Sequence, residues 1–315
     1  MDLNDVKMAI ERAKDIMLVA HIQPDGDTLG SCFALWRILE KMGKQARICC
    51  DGEMPDRYVP LFPAGVLEDP SSCDAAGTLV IAVDCADAAR LGKCHKLFKQ
   101  AAETVNIDHH VTNEGFAHIN YIAEASSVGE IIFELMRVCG VEPDADIAKY
   151  LYIAISTDTG NFTYSNTGRK SLAYVSELVE LFDLRATADI LFRRRSLLAT
   201  RLIGRAISRL ELFSEGKIAS VTLLDSDMKE FGATGADCEN IVDYAREIEE
   251  TQIAVFFREL PTGVKISFRS KGDINVGAVA AAYGGGGHMN AAGCCTGGKL
   301  DEVKKDVLDK LVELV

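Results

Sequence analysis

Acids and histidines gather at four places in this sequence, three of them directly after short apolar runs. Residues 16–20 lead into His21-Ile-Gln-Pro-Asp25-Gly-Asp27, residues 78–83 into Asp84, and residues 104–107 into Asp108-His109-His110. The fourth group is Ser156-Thr-Asp158-Thr-Gly160. Carboxylates with a few imidazoles suit manganese- or magnesium-like ions better than the thiolate-rich sites of zinc do. Asp25 and Asp27 are separated by one glycine, so in an extended turn their carboxylates diverge and address different ions; Pro24 and Gly26 shape that turn. Two ions roughly 3.5–4 Å apart activate a water and stabilise a leaving oxygen together, which is chemistry suited to phosphoester hydrolysis. Each residue alone has a plainer reading. Asp25, Asp27 and Asp84 fit helix caps, Asp158 a helix end, and His109 and His110 strand-end histidines. The conjunction favours a metal centre.

A second group lies near the C-terminus. Gly284-Gly-Gly-Gly-His288-Met-Asn-Ala-Ala-Gly293 can converge backbone N–H groups on an anion. It follows Phe268-Arg269-Ser-Lys271, whose guanidinium can grip phosphate bidentately. No Walker lysine follows the glycines and no GxGxxG follows the first apolar run, so nucleotide-driven and dinucleotide-binding readings lose ground.

For the first group to converge, its apolar runs must be neighbouring strands. They are short, continuous and rich in β-branched residues, as strands buried on both faces of a parallel sheet are; residues 47–50 add another. Helical periodicity at 28–42, 126–138, 146–155 and 169–181 alternates with or follows them. A doubly wound, mainly parallel α/β sheet results, with ligands outside the carboxyl ends of its strands. Residues 192–212 read as a long connecting helix with one basic face. From 216 the texture changes to strands at 217–223, 251–259 and 264–269 and helices at 238–246, 276–283 and 300–314, a smaller second α/β domain. The expected division is 1–185, a helical linker over 186–214, and 215–315.

With 315 residues, 48% hydrophobic and 26% charged, the chain can bury two cores. A net charge of −13 gives no broad cationic field for long duplex nucleic acid. The apolar run at 16–20 is too short for a signal peptide or a membrane span, so a cytoplasmic protein without membrane contact is expected. The ten cysteines form no CxxC, and adjacent pairs such as Cys49-Cys50 and Cys294-Cys295 point to opposite faces of a strand; buried, unpaired thiols are expected.

In order and spacing, the four acid and histidine groups resemble the motifs of the DHH phosphoesterases. Phe268-Arg-Ser-Lys271 and the glycine run resemble the DHH-associated C-terminal domain. The likeness spans nearly the whole chain and is strongest to bacterial nanoRNases that also act as pAp phosphatases, and to related cyclic-dinucleotide phosphodiesterases. It implies two divalent metal ions, manganese first with magnesium as an alternative. His21, Asp25 and Asp84 would hold one; Asp27, Asp84, His109 and Asp158 the other, Asp84 bridging. Asp108 would orient the histidines, and His110 would face the reacting phosphate. Arg269, Asn275, Gly286, Gly287 and His288 would bind a terminal phosphate or the nucleotide, in a cleft that admits only short substrates. Phe162 and Tyr164 fit base stacking or the core equally. The implied activity is hydrolysis of short RNA to mononucleotides, of pAp to AMP, or both, by a homodimer. The alternative is a cyclic-di-AMP or pApA phosphodiesterase; a non-catalytic nucleotide-binding module is an outside alternative, which leaves the full ligand set unexplained.

Overall fold

In the computed structural model, which describes residues 2–315, the apolar runs become a six-stranded parallel sheet. Its strands are β1 (Asp15–Ala20), β2 (Gln45–Cys50), β3 (Leu67–Glu68), β4 (Leu79–Val83), β5 (Glu103–Asp108) and β6 (Ile119–Ile122), in the order β3-β2-β1-β4-β5-β6. The doubly wound fold expected from the sequence is therefore present. β1 and β4 are buried on both faces: Ile16, Leu18, Ile81 and Val83 join one core, and Met17, Val19, Val80 and Ala82 the other. That double burial is why these strands read as unbroken apolar runs. The strand order reverses between β1 and β4, so a crevice opens beyond their carboxyl ends.

The helices of this first unit are α1 (Leu3–Arg12), α2 (Gly26–Lys41), α3 (Cys94–Gln100), α4 (Val128–Val138), α5 (Ala145–Asp158), α6 (Arg169–Leu178) and α7 (Leu184–Ala188). Asp27 lies in the first turn of α2 and Asp158 in the last turn of α5, and these two helices approach to backbone contact. A Cβ added to Gly30 would stand 2.5 Å from the Tyr150 carbonyl oxygen and 2.7 Å from the Ala154 nitrogen. One added to Gly129 of α4 would stand 2.6 Å from the Ala154 Cβ. Gly30→Ala is therefore expected to cost about 1–3 kcal/mol, because backbone on both sides must shift. It should also raise the manganese concentration needed for half-maximal activity, since it separates Asp27 from Asp158. Urea denaturation and a metal titration measure both effects; no change in either would mean the seam has slack.

A second unit begins at Arg195. It contains α8 (Leu197–Ile207), β7 (Glu211–Phe213), β8 (Ile218–Leu223), α9 (Asp225–Phe231), α10 (Ile241–Arg246), β9 (Ile253–Leu260), β10 (Gly263–Ser270), α11 (Val276–Ala282), β11 (Gly286–His288), β12 (Ala291–Thr296) and α12 (Leu300–Val312). The sheet order is β11-β12-β10-β9-β8-β7, with β8 and β9 parallel and the other pairs antiparallel. One face packs on α11 and α12 through Val255, Phe257, Ile266 and Phe268. The other packs on α8 and α10 through Val221, Leu223, Ala254 and Phe256.

Two expectations change here. The helix expected over 192–212 covers only Leu197–Ile207 and belongs to the second unit's core: Leu202 and Ala206 are fully buried. Its basic face is not simply solvated, because Arg205 and Arg209 both donate to buried Asp227, whose carboxyl the Arg209 hydrogen bond helps hold down at about 2. The glycine run, read as backbone that converges on an anion, is partly regular. Gly286–His288 forms an edge strand paired with Ala291–Gly293, turning at Met289 and Asn290. All ten cysteines are free, with Cys49 and Cys50 entering the cores on opposite sheet faces. No helix among the described residues is long and apolar enough to cross a membrane.

Candidate metal centre

The carboxyl ends of β1, β4 and β5 deliver His21, Asp84 and the Asp108-His109-His110 segment to one edge of the sheet. Asp84 adopts a left-handed backbone (φ 61°) that leaves the strand direction at once, a conformation Asp tolerates better than most residues. Asp25 caps α2 by accepting from Thr28 N, so the Asp25–Asp27 segment is a helix start rather than the extended turn expected. Asp27 also receives the N-terminus of α4: Val128 N donates to Oδ2 at 2.7 Å and Gly129 N to Oδ1 at 3.0 Å. The capping reading thus holds for Asp25, which the fold also brings beside His21 and Asp84.

Each metal-type histidine is oriented by a carbonyl. His21 Nδ1 lies 2.7 Å from Ile22 O and His109 Nδ1 3.1 Å from Ala125 O. A carbonyl only accepts, so Nδ1 carries the proton and Nε2 turns its lone pair toward the carboxylates. His21 Nε2 stands 3.9 Å from Asp25 Oδ2 and 3.7 Å from Asp84 Oδ2. His109 Nε2 stands 3.9 Å from Asp27 Oδ2, 3.7 Å from Asp84 Oδ1 and 3.6 Å from Asp158 Oδ2. These gaps exceed a hydrogen bond of about 2.7–3.2 Å. The ligand atoms of His21, Asp25 and Asp84, and those of Asp27, His109 and Asp158, lie within 4.8 Å of one another in each group. Asp84 Oδ1 is buried without a hydrogen-bond partner. An orphaned carboxylate oxygen, lone pairs converging from two imidazoles, and several acids crowded out of water fit a cation and make little sense without one.

Electrostatics point the same way. Burial, with repulsion from Asp158, pushes the Asp27 carboxyl up to about 7, and burial pushes Asp158 up to about 6. Burial, with repulsion from Asp27, drives Asp84 well above the usual carboxylate range. Burial lowers His21 against the pull of Asp25, which keeps it neutral as a ligand should be. His109 is lowered by burial but raised by more through Asp27 and Asp158. Without metal the folded protein therefore binds more protons at these acids than the unfolded chain, whose carboxylates titrate near about 4. Stability of the metal-free protein then falls as pH rises through the folded values. His21 acts oppositely below about pH 6.5, so the fall is read above that point. In chelator, the melting temperature should drop on going from about pH 6.5 to 8, and saturating manganese should abolish or reverse the drop. A flat profile in chelator would contradict the crowded-acid account.

Beside this cluster, Asp108 is fully buried and accepts from His110 Nδ1 at 2.8 Å and Asn113 Nδ2 at 2.6 Å. Burial raises its pKa, but these two hydrogen bonds outweigh it and leave it lowered. Sequence reading missed Asn113, which also donates to Cys85 O, and Thr28, whose hydroxyl donates to Asp84 Oδ2 at 2.6 Å. It also missed Asn166, which donates to Asp158 O and Ser126 O. Their only signal is polar type a few residues from a motif. Phe162 packs into a small core with Tyr152, while Tyr164 is exposed.

The remaining candidates lie in the second unit. Arg269 of β10, Ala291 of β12 and His288 of β11 are in register, so Arg269 and His288 flank one strand on the same sheet face, about 10 Å apart in backbone position. Asn275 caps α11 by accepting from Ala278 N, and Val276 N donates to Met289 O, which holds that helix start beside the β11 hairpin. Gly286 and Gly287 are exposed on β11.

Comparison with known proteins agrees with these motifs. The N-terminal domain of the DHH family matches residues 15–155, and the DHHA1 domain matches 215–315. Over 306 residues the chain is 32% identical to the bifunctional oligoribonuclease and PAP phosphatase NrnA of Thermus thermophilus, covering 95% of this chain and 89% of that protein. The chain belongs to the DHH family of phosphoesterases. Its Bacillus subtilis relative of the same name is 29% identical over 283 residues, 88% of each chain. Among solved structures, an exopolyphosphatase-related protein from Bacteroides fragilis superposes with a TM-score of 0.91 at 25% identity, over 99% of this chain and 95% of that one. The DHH match contains every candidate ligand except Asp158, which lies three residues beyond its end at 155.

Proposed function

We propose that this DHH phosphoesterase hydrolyses short oligoribonucleotides to mononucleotides and pAp to AMP. It does so with two divalent cations, manganese foremost. His21, Asp25 and Asp84 hold one; Asp27, His109 and Asp158 hold the other together with Asp84. The observation that carries the reading is the position of Asp84, buried and facing His21 through Oδ2 and His109 through Oδ1. A carboxylate that addresses two imidazoles with different oxygens suits a bridging ligand. The names of the relatives from Thermus thermophilus and Bacillus subtilis support the substrate class.

When bound, the cations supply positive charge for the phosphate oxygens and acidify water at the site. The chain's own groups do the positioning. Ile22 O and Ala125 O aim Nε2 of His21 and His109. Asp108 holds His110 by Nδ1, so proton transfer to the leaving oxygen runs through Nε2. Residues 1–185 supply this chemistry, and residues 215–315 grip the substrate through Arg269, Asn275, Gly286, Gly287 and His288. The active form is a cytoplasmic homodimer, readable as the mass of two chains in sedimentation.

Turnover of di- to tetraribonucleotides, pAp, pApA and cyclic-di-AMP in manganese, followed side by side by chromatography, tests the proposal. Mononucleotides and AMP should appear from the first two substrates, and chelator should abolish both. A marked preference for cyclic-di-AMP would reassign the substrate. Release of no product from any of the four would overturn the reading.

A further inference from the structure

On the α10 face of the second sheet the apolar packing stops at β9. Phe256 faces the core beneath α8 and α10, but β10 presents Lys265, Ser267 and Arg269 to the same side. The result is a cavity of about 200 Å³ walled by Gly235, Asn240, Arg258, Lys265, Ser267 and Arg269. Arg258 and Lys265 are direct cross-strand partners in the β9–β10 register. Like charges in that relation repel each other. Neither makes an ion pair with an acid among the described residues, although the chain carries a net charge of −13 and one acid, Glu239, also lines the cavity. Arg258 is packed against Gly235 and beside Cys238, and its Nε is buried without a hydrogen-bond partner. Of the three cations only Arg269 forms an ion pair among the described residues, with Nε 3.5 Å from Asp243 Oδ1. A repulsive pair retained at a cavity wall, with a buried donor left unsatisfied, calls for an anionic occupant.

We propose that this cavity is a phosphate-binding subsite that continues the grip of Arg269 along β10 and takes a second phosphate group through Arg258 and Lys265, with Ser267 as a hydroxyl donor. The inference rests on the proposed function for its substrate, since a chain of two or more nucleotides carries such a phosphate and a single reacting group does not. The same chemistry would also accept a free phosphate-bearing ligand. Guanidinium and ammonium differ usefully here: Arg258 is fixed in place by its packing, whereas Lys265 is an exposed point charge that adjusts to the occupant.

The test uses the full chain in chelator, so that no hydrolysis occurs, and titration calorimetry with inorganic phosphate and with a tetraribonucleotide. Lys265→Ala and Arg258→Gln should each weaken both ligands by about tenfold or more. Lys229→Ala, which removes an exposed lysine of the same unit, should not. Because Lys265 is exposed, its alanine variant keeps the core intact even if Arg258→Gln unfolds. Loss of phosphate affinity alone, with the tetraribonucleotide unaffected, assigns the subsite to a free phosphate ligand. Unchanged affinity for both ligands in Lys265→Ala, or no binding of either to the unaltered chain, overturns the proposal. If the calorimetry behaves as expected while manganese assays show no cleavage of RNA or pAp, the proposed function fails and the phosphate subsite stands.

Discussion

Asp84→Asn is expected to lower manganese-dependent turnover by about a thousandfold or more, equivalent to roughly 4 kcal/mol of lost transition-state stabilisation. Asparagine keeps the shape and the hydrogen bond with Thr28, but loses the charge that addresses His21 and His109 together. The same change should leave the metal-free protein as stable as before or more so, because Asp84 is driven toward its neutral form by burial and by Asp27. A variant with lower activity, weaker manganese binding and an unchanged or higher melting temperature in chelator separates a functional from a folding defect. Full turnover in Asp84→Asn would sink the bridging role.

His110→Ala should reduce kcat by about 10²–10⁴-fold with little change in manganese affinity, the range for loss of a positioned proton donor. Asp108→Asn tests the same unit from behind. It leaves one acceptor oxygen where His110 Nδ1 and Asn113 Nδ2 each have their own, so one of the two hydrogen bonds is lost and the other loses its charge. The expected kcat loss is smaller, about 10–100-fold, as for other residues that orient a functional histidine. A purely structural role would move the melting temperature and leave the alkaline limb of the kcat–pH profile, where a proton donor is lost, in place. A role in orienting His110 shifts that limb. Equal kcat and an unshifted profile in both variants would remove His110 from the chemistry.

The first sheet was legible because its strands are buried on both faces, and continuous runs such as 16–20 and 78–83 leave few other readings. β3 and β6 were not, since edge strands of two and four residues, none of them buried, carry no run. β11 and β12 were hidden by composition: Gly286, Gly287, Ala291, Ala292 and Gly293 have no strand propensity, and cross-strand pairing alone makes them a hairpin. At the candidate metal centre, residue type and order picked out the acids and histidines that the fold brings together, while their burial, tautomers and supporting contacts came only with the fold. Nothing in the type of Ala125 or Ile22 announces that its carbonyl sets an imidazole. Asp27 is the instructive case, since its place in α2 was readable but its hydrogen bonds to Val128 and Gly129 join segments a hundred residues apart.

The contact among Gly30, Gly129 and Ala154 bears on how such an enzyme can change its substrates. Asp27 and Asp158 ride on helices that touch through main-chain atoms, so their spacing is inherited from the backbone and admits almost no sequence variation at the seam. Diversity must enter elsewhere, in exposed positions such as Val111 and Tyr164, which follow the His109–His110 and Asp158 segments. A mutant library built to retune preference between a dinucleotide and pAp should therefore spare residues 30, 129 and 154 and spend its variation on residues 111 and 164.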